Sequence, residues 1–159
     1  MDVYEQFGNI DIYLFDQILK GRFNPSMRIL DAGCGGGRNL IYFLRNNYEV
    51  FGTDQSEEAI QYIRLLAKSI SPKSLADNFQ ISCVEKMPFV DDFFDLVISN
   101  AVLHFAENET QFNQMLSEMW RVLKPNGILF ARLASDIGIE HLVEKIVERR
   151  FLLPDGSER

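Results

Sequence analysis

Arg28-Ile29-Leu30-Asp31-Ala32-Gly33-Cys34-Gly35-Gly36-Gly37-Arg38-Asn39 decides the fold of this 159-residue chain: an apolar, β-prone run breaks into four glycines within five residues, then turns polar. Glycine lacks a β-carbon, so it takes up positive φ and lets backbone N–H groups come close to a ligand, here at the start of an expected helix. Such a turn touches its ligand with backbone, not side chains. Asp54 closes Val50-Phe51-Gly52-Thr53-Asp54 about twenty residues on, the spacing at which a carboxylate grips both hydroxyls of a ribose. Read alone, Asp54 is also a polar opening to the next helix; paired with the glycine turn, it points to an adenosine-containing ligand.

Outward from that turn, short β-rich runs alternate with helical periodicity, the pattern of a parallel sheet with helices on both faces. Strands are expected at Arg28–Ala32, Tyr48–Thr53, Phe79–Val84, Phe94–Ser99 and Gly127–Leu133. Ile60, Ile63, Ala67 and Ile70 recur at helical spacing, as do Phe112, Met115, Met119 and Leu123, and both stripes are read as core. Ser56 suits an N-cap with Glu57 and Glu58 in the first turn, where the helix dipole favours acids. Lys124-Pro125-Asn126-Gly127 reads as a helix stop and turn, and Ser69–Ser74 as a surface loop. A further amphipathic helix is expected around Ile139, Leu142, Val143, Ile146 and Val147. The fold class is therefore α/β, a Rossmann-like doubly wound and mostly parallel sheet. In such sheets ligands bind beyond the carboxyl ends of the strands, where strand order reverses. The glycine turn, Asp54 and Ser99-Asn100 all fall there.

Composition narrows the ligand class. Hydrophobic content of 47% and charged content of 25% suit one globular domain, and the formal charge of −7 argues against a nucleic-acid backbone, which requires clustered Lys and Arg. No apolar run reaches the length of a membrane span, and the first residues have neither a basic start nor an apolar signal core, so no membrane partner and a cytoplasmic location are expected. Cys34 and Cys83 lack metal-ligand spacing; free thiols and no metal are expected.

Glycine spacing then separates two enzyme classes. The dinucleotide fingerprint G-x-G-x-x-G requires glycine at position 38, where Arg38 stands, so the pattern is G-x-G-x-G, and an NAD-dependent oxidoreductase becomes the alternative. The run resembles the first motif of class I S-adenosylmethionine-dependent methyltransferases, and Val50–Asp54 resembles their acidic second motif. Met87-Pro88-Phe89, Phe94-Asp95-Leu96-Val97-Ile98-Ser99, Val102-Leu103-His104 and Trp120-Arg121-Val122-Leu123-Lys124-Pro125-Asn126-Gly127 look like later motifs in the right order, over residues 28–134.

The resemblance implies S-adenosyl-L-methionine as cofactor and methyl transfer to a small molecule. It places Asp31, Gly33, Cys34 and Gly35 at the amino-acid end of the cofactor, Asp54 and Gln55 at the ribose, Cys83, Val84 and Glu85 beside the adenine, and Asn100 toward the sulfonium. Many relatives carry an acid at the position of Cys83. A thiol is a weak acceptor, so adenine binding is expected to weaken there, with the Val84 N–H and Glu85 as substitute contacts. Direct displacement from a sulfonium requires alignment and water exclusion rather than a nucleophilic residue, and proximity supplies roughly 7–11 kcal/mol in well-oriented systems. A non-catalytic cofactor-binding module is the third reading.

His104 is the candidate for acid–base work, against a structural role; His141 is expected to face solvent. Arg38 and Asn39 open the helix after the turn, either reaching an anionic substrate or facing solvent. Tyr4, Phe7, Tyr13 and Phe15 lie in a segment that relatives fold over the cofactor, so Tyr4 and Phe7 are candidate substrate contacts, with plain packing the competing role. The domain is divided into a lid or helical segment at 1–25, a cofactor core at 26–134 and a terminal region at 135–159. Phe151-Leu152-Leu153 is one further strand; relatives have two, so the chain reads as truncated, with an exposed fifth-strand edge that invites a homodimer. Gly37-Arg38-Asn39 and Phe151–Ser157 look like the branch that methylates tellurite and small molecules.

Overall fold

Side chains on the strands alternate between two apolar clusters, one on each sheet face. The computed structural model describes residues 2–71, 75–135, 137, 140–147, 150–153 and 156. Five strands, β1 (Arg28–Ala32), β2 (Glu49–Asp54), β3 (Phe79–Ile81), β4 (Phe94–Asn100) and β5 (Leu123–Arg132), lie in the order β3-β2-β1-β4-β5. Every pairing is parallel, with Asp31 opposite both Gly52 and Ile98, and Asn100 opposite Arg132. Ile29, Val50, Leu96 and Ile98 pack with one cluster, and Leu30, Phe51, Val97 and Phe94 with the other. Burying such a side chain stabilises the fold by about 1.5–3 kcal/mol. The strand order reverses between β1 and β4, so the crevice opens where the glycine turn and Asn100 emerge.

The first cluster is covered by α2 (Ile12–Leu19), α3 (Ile41–Arg45) and α4 (Glu57–Ile70); the second by α5 (Glu109–Val122) and the chain after β3. Ser56 caps α4 by accepting the Ala59 N–H at 3.2 Å, with Glu57 and Glu58 in the first turn as expected. The expected core stripes hold: Ile60, Ile63, Ala67, Met115, Met119 and Leu123 are buried. Both cysteines are free.

Four expectations are corrected. The helix after the glycine turn begins at Ile41, and Arg38–Leu40 form a turn instead, closed by the Leu40 N–H on the Gly37 carbonyl at 2.9 Å. Ser69 and Ile70 continue α4, while residues 72–74 of the expected loop lie outside the described residues. Lys124-Pro125-Asn126-Gly127 does not separate α5 from its strand: β5 runs through it as a wide bulge, Phe94 facing Leu123 and Leu96 facing Ile128, with Asn126 at φ 65°. Proline's missing N–H costs nothing in such a bulge.

Among the described residues the late helix is absent. Glu144–Val147 is a strand, β6, paired antiparallel with β7 (Arg150–Leu152), while His141 and Leu142 lie in an exposed turn. β-branched Val143, Ile146 and Val147 favour extended chain, and Leu142 and Ile146 are exposed, so no buried face sustains a helix. Ile139, and Pro154, Asp155 and Ser157 of the expected closing turn, lie outside the described residues. Among the described residues no helix is long and apolar enough to cross a membrane.

Candidate cofactor site at the strand ends

The Gly33 and Cys34 N–H groups both donate to the Thr53 carbonyl at 2.8 Å, so the glycine turn is sewn to the end of β2. Gly33, Gly35 and Gly37 have φ of 81°, 49° and 76°. A β-carbon would lie 2.5 Å from Val102 at Gly33 and 2.0 Å from Ile63 at Gly37, yet at Gly35 it meets nothing within 4 Å. Two of these glycines are therefore demanded by packing, and the third opens onto free space. The Gly35 N–H donates to Asp54 Oδ2 at 2.8 Å, and Asp54 Oδ1 accepts the Ser56 N–H at 2.9 Å. Each carboxylate oxygen keeps a further lone pair for a hydroxyl donor. Gln55 beside it is exposed.

Unpartnered polar atoms gather around this cradle. Asp31 is 2% exposed and its Oδ2 has no partner; burial pushes its carboxyl up to about 8, opposed by the Arg38 cation and assisted by the charge of Asp54. Thr53 Oγ1, Ser99 Oγ and Asn100 Nδ2 are likewise buried without partners, at the ends of β2 and β4. Buried polar groups are normally satisfied, so orphans grouped at one crevice suit a ligand that completes them, and an ammonium would complete Asp31. Arg38 Nη2 donates to Asn100 Oδ1 at 3.1 Å, spanning the crevice between β1 and β4. Cys34 lies beneath the turn, its thiol buried and its pKa pushed well up by that burial.

The next wall follows β3. The Ser82 N–H donates to the Asp54 carbonyl at 3.0 Å, so Cys83, Val84 and Glu85 continue directly from the end of β2. Cys83 is half-buried, Val84 is buried against Phe51 and Phe94, and Glu85 Oε1 accepts Gln111 Nε2 at 2.5 Å while Oε2 has no partner. β3 ends at Ile81, three residues short of expectation, because β2 offers it no partner beyond Asp54.

The N-terminal segment is fastened to the site from the other side. In α1 (Val3–Phe7), Phe7 stacks on Tyr42 of α3 at 5.1 Å and meets Phe15 edge-on at 4.8 Å, whereas Tyr4 is 65% exposed. Of the two candidate substrate contacts, one is packed and one faces outward. Asn39 serves neither expected purpose: it is buried, and its Oδ1 accepts the Asp11 N–H at 3.0 Å. Asp11 caps α2 by accepting the Tyr13 and Leu14 N–H groups, and its Oδ2 faces Arg132 Nε at 3.7 Å. The Arg132 guanidinium sits 4.0 Å over the Tyr13 ring. Asp11 and Arg132 escaped the sequence reading, although Asp11 before Ile12 carried an N-cap signal. His104 lies in a short 3₁₀ turn (Leu103–Phe105), and its Nδ1 accepts the Ala134 N–H at 3.0 Å.

A doubly wound sheet with a glycine cradle, a ribose-spaced acid and orphaned polar atoms at its switch point defines a nucleotide-type cofactor domain. Residues 30–131 match the family model described as a methyltransferase domain, and the chain belongs to that family, among the class I S-adenosylmethionine-dependent methyltransferases. It is 32% identical to a malonyl-[acyl-carrier protein] O-methyltransferase of Enterobacter lignolyticus over 69% of this chain and 40% of that protein. It superposes on a solved protein of Pyrococcus horikoshii with a TM-score of 0.71 at 25% identity, covering 93% of this chain and 71% of the other. A Methanosarcina mazei structure described as a SAM-dependent methyltransferase gives 0.61 at 27% identity, over 70% and 54% of the two chains. The chain spans about half or less of the length of the curated relatives it matches.

Proposed function

We propose that this chain binds S-adenosyl-L-methionine at the strand ends and passes its methyl group to a small molecule by in-line displacement. The observation that carries this reading is the Gly35–Asp54 pair, an open backbone cradle hydrogen-bonded at 2.8 Å to a carboxylate with lone pairs to spare. When bound, the cofactor supplies an electrophilic methyl on its sulfonium. Asp31 meets the ammonium, Gly33, Cys34 and Gly35 shape the amino-acid end, and Asp54 with Gln55 holds the ribose. Cys83, Val84 and Glu85 flank the adenine. Asn100, held by Arg38, faces the reacting side, and Tyr4 and Phe7 border the acceptor. His104, whose Nδ1 accepts the Ala134 N–H, borders the acceptor as the candidate for acid–base work. Residues 1–25 act as the lid, 26–134 as the cofactor core and 135–159 as an accessory region.

Twenty-three acidic against sixteen basic residues support a small-molecule acceptor over nucleic acid. β5 pairs only with β4 among the described strands, which supports a homodimer through its free edge, and size-exclusion chromatography giving a strict monomer overturns that part.

Calorimetry with S-adenosylmethionine, S-adenosylhomocysteine and NAD tests the cofactor. Asp54→Ala is expected to cost tenfold or more in affinity for the first two, because it removes both the ribose acceptor and the bond that holds Gly35. Tight NAD binding without either sulfur ligand overturns the reading in favour of an oxidoreductase. Incubation with labelled cofactor and small-molecule extracts separates an enzyme from a binding module by the appearance of methylated product.

A further inference from the structure

Between the end of β3 at Ile81 and the start of β4 at Phe94 the chain has no strand partner, yet it must hold Val84 and Glu85 at a fixed distance from Asp54. Burial of Val84 and Met87 and the Ser82 hydroxyl on the Cys83 and Lys86 carbonyls do part of this, and three side chains on α5 add the rest. Gln111 donates to Glu85 Oε1 at 2.5 Å, and its own Oε1 is fixed by the Glu107 N–H at 2.7 Å. Seven residues on, Glu118 Oε1 accepts the Met87 N–H at 2.7 Å. Arg121 donates to the Met87 carbonyl at 3.2 Å, the Phe89 carbonyl at 2.8 Å and Asp91 at 2.7 Å.

Positions 111, 118 and 121 lie on one stripe of the helix, because seven residues is close to two turns. Glu118 and Arg121 bind each other through two bonds of 2.6 and 2.8 Å, a forked pair that fixes the guanidinium plane before it reaches the loop. That bond with Arg121 holds the Glu118 carboxyl below its ordinary value, so the pair is charged. Val84 and Met87 pack along the inner seam with Met115 and Met119 of α5, while the outer seam is open. There a groove of about 480 Å³ runs between Glu85 and the side chains of Thr110, Asn113, Gln114, Ser117 and Glu118.

We infer that Gln111, Glu118 and Arg121 are positioning residues for the adenine-side wall, setting where Val84 and Glu85 stand relative to Asp54. The inference rests on the cofactor reading above. None of the three touches the ligand; each acts through the loop. The wall distinguishes adenine from a base with a different hydrogen-bonding edge only while its backbone stays in register with the ribose grip, since hydrogen bonds weaken steeply with misalignment.

The test compares S-adenosylhomocysteine with S-inosylhomocysteine by calorimetry on the whole chain, with thermal melting in parallel. Arg121→Met is expected to lose about tenfold in affinity for the adenosine ligand and much less for the inosine ligand, so their ratio falls toward one. Arg121→Lys, which keeps the charge, is expected to recover part of that ratio. Gln111→Ala removes a single loop contact without touching the ion pair; it keeps the question open to measurement if Arg121→Met does not fold, and is expected to shift the ratio in the same direction. Melting points that fall while the ratio stays at its wild-type value in every variant overturn the inference, because they mark a merely structural role. A wild-type ratio already near one also overturns it. A wild-type chain that binds neither ligand overturns the cofactor reading and this inference with it.

Discussion

The two walls of the crevice are built by opposite means. The glycine turn after β1 is shaped by backbone: Gly33 and Cys34 bond to Thr53, Gly37 to Cys34, and a single carboxylate, Asp54, ties Gly35. The loop after β3 is shaped by side chains reaching over from α5, a remote helix, onto its carbonyls and amides. A backbone wall tolerates change poorly at a few positions and hardly notices the rest. A side-chain wall spreads the same work over several replaceable groups, each of modest effect.

The hardest blow to this contrast is Gly37→Ala. A methyl group there faces Ile63 at 2.0 Å and a backbone at φ 76°. The expected cost is about 2–4 kcal/mol of stability, read as a fall in melting temperature. Gly35→Ala, two residues earlier, meets no neighbour and is expected to cost about 1 kcal/mol from its φ alone. Equal losses at both positions break the distinction between a packing glycine and a cradle glycine.

Next in size is a pH effect on the backbone wall. Asp31 holds its proton up to about 8 in the folded chain against an ordinary 3.8, so its contribution to stability is full below pH 4 and is lost between there and about 8. An ammonium-bearing ligand prefers the ionised carboxylate. Affinity for S-adenosylhomocysteine is thus expected to fall by up to about tenfold per pH unit below 8, and Asp31→Asn to flatten the profile. A profile unchanged by that substitution shows that Asp31 does not meet the ligand. The smallest effect belongs to exposed Tyr4: Tyr4→Ala is expected to slow turnover with melting changed by less than about 0.5 kcal/mol. Equal loss of both would return Tyr4 to plain packing.

The same contrast explains how much the sequence disclosed. The backbone wall was legible because glycine at 33, 35 and 37 and Asp at 54 are identities that their backbone roles require. The five strands were legible from β-branched runs between turn residues. Gln111, Glu118 and Arg121 carry no such signal in the sequence, since most of their partners are peptide groups, which every residue carries alike. Leu142, Val143 and Ile146 mislead for another reason: their spacing fits a helix, yet Leu142 and Ile146 are exposed among the described residues, and β-branched chains then favour a hairpin. Lys124–Gly127 carried a true stop signal for α5, but proline and a left-handed asparagine can end a helix inside a bulge as well as in a loop.

That bulge joins α5 to β5 without any intervening loop. The helix side of the joint carries the clip on the loop after β3, and the strand side carries Arg132, which fastens the N-terminal segment through Asp11 and Tyr13. Mountings on both sides of the crevice therefore sit on one continuous stretch of chain, with Asn126 at its joint. A substitution that alters this joint is therefore expected to reach both mountings at once.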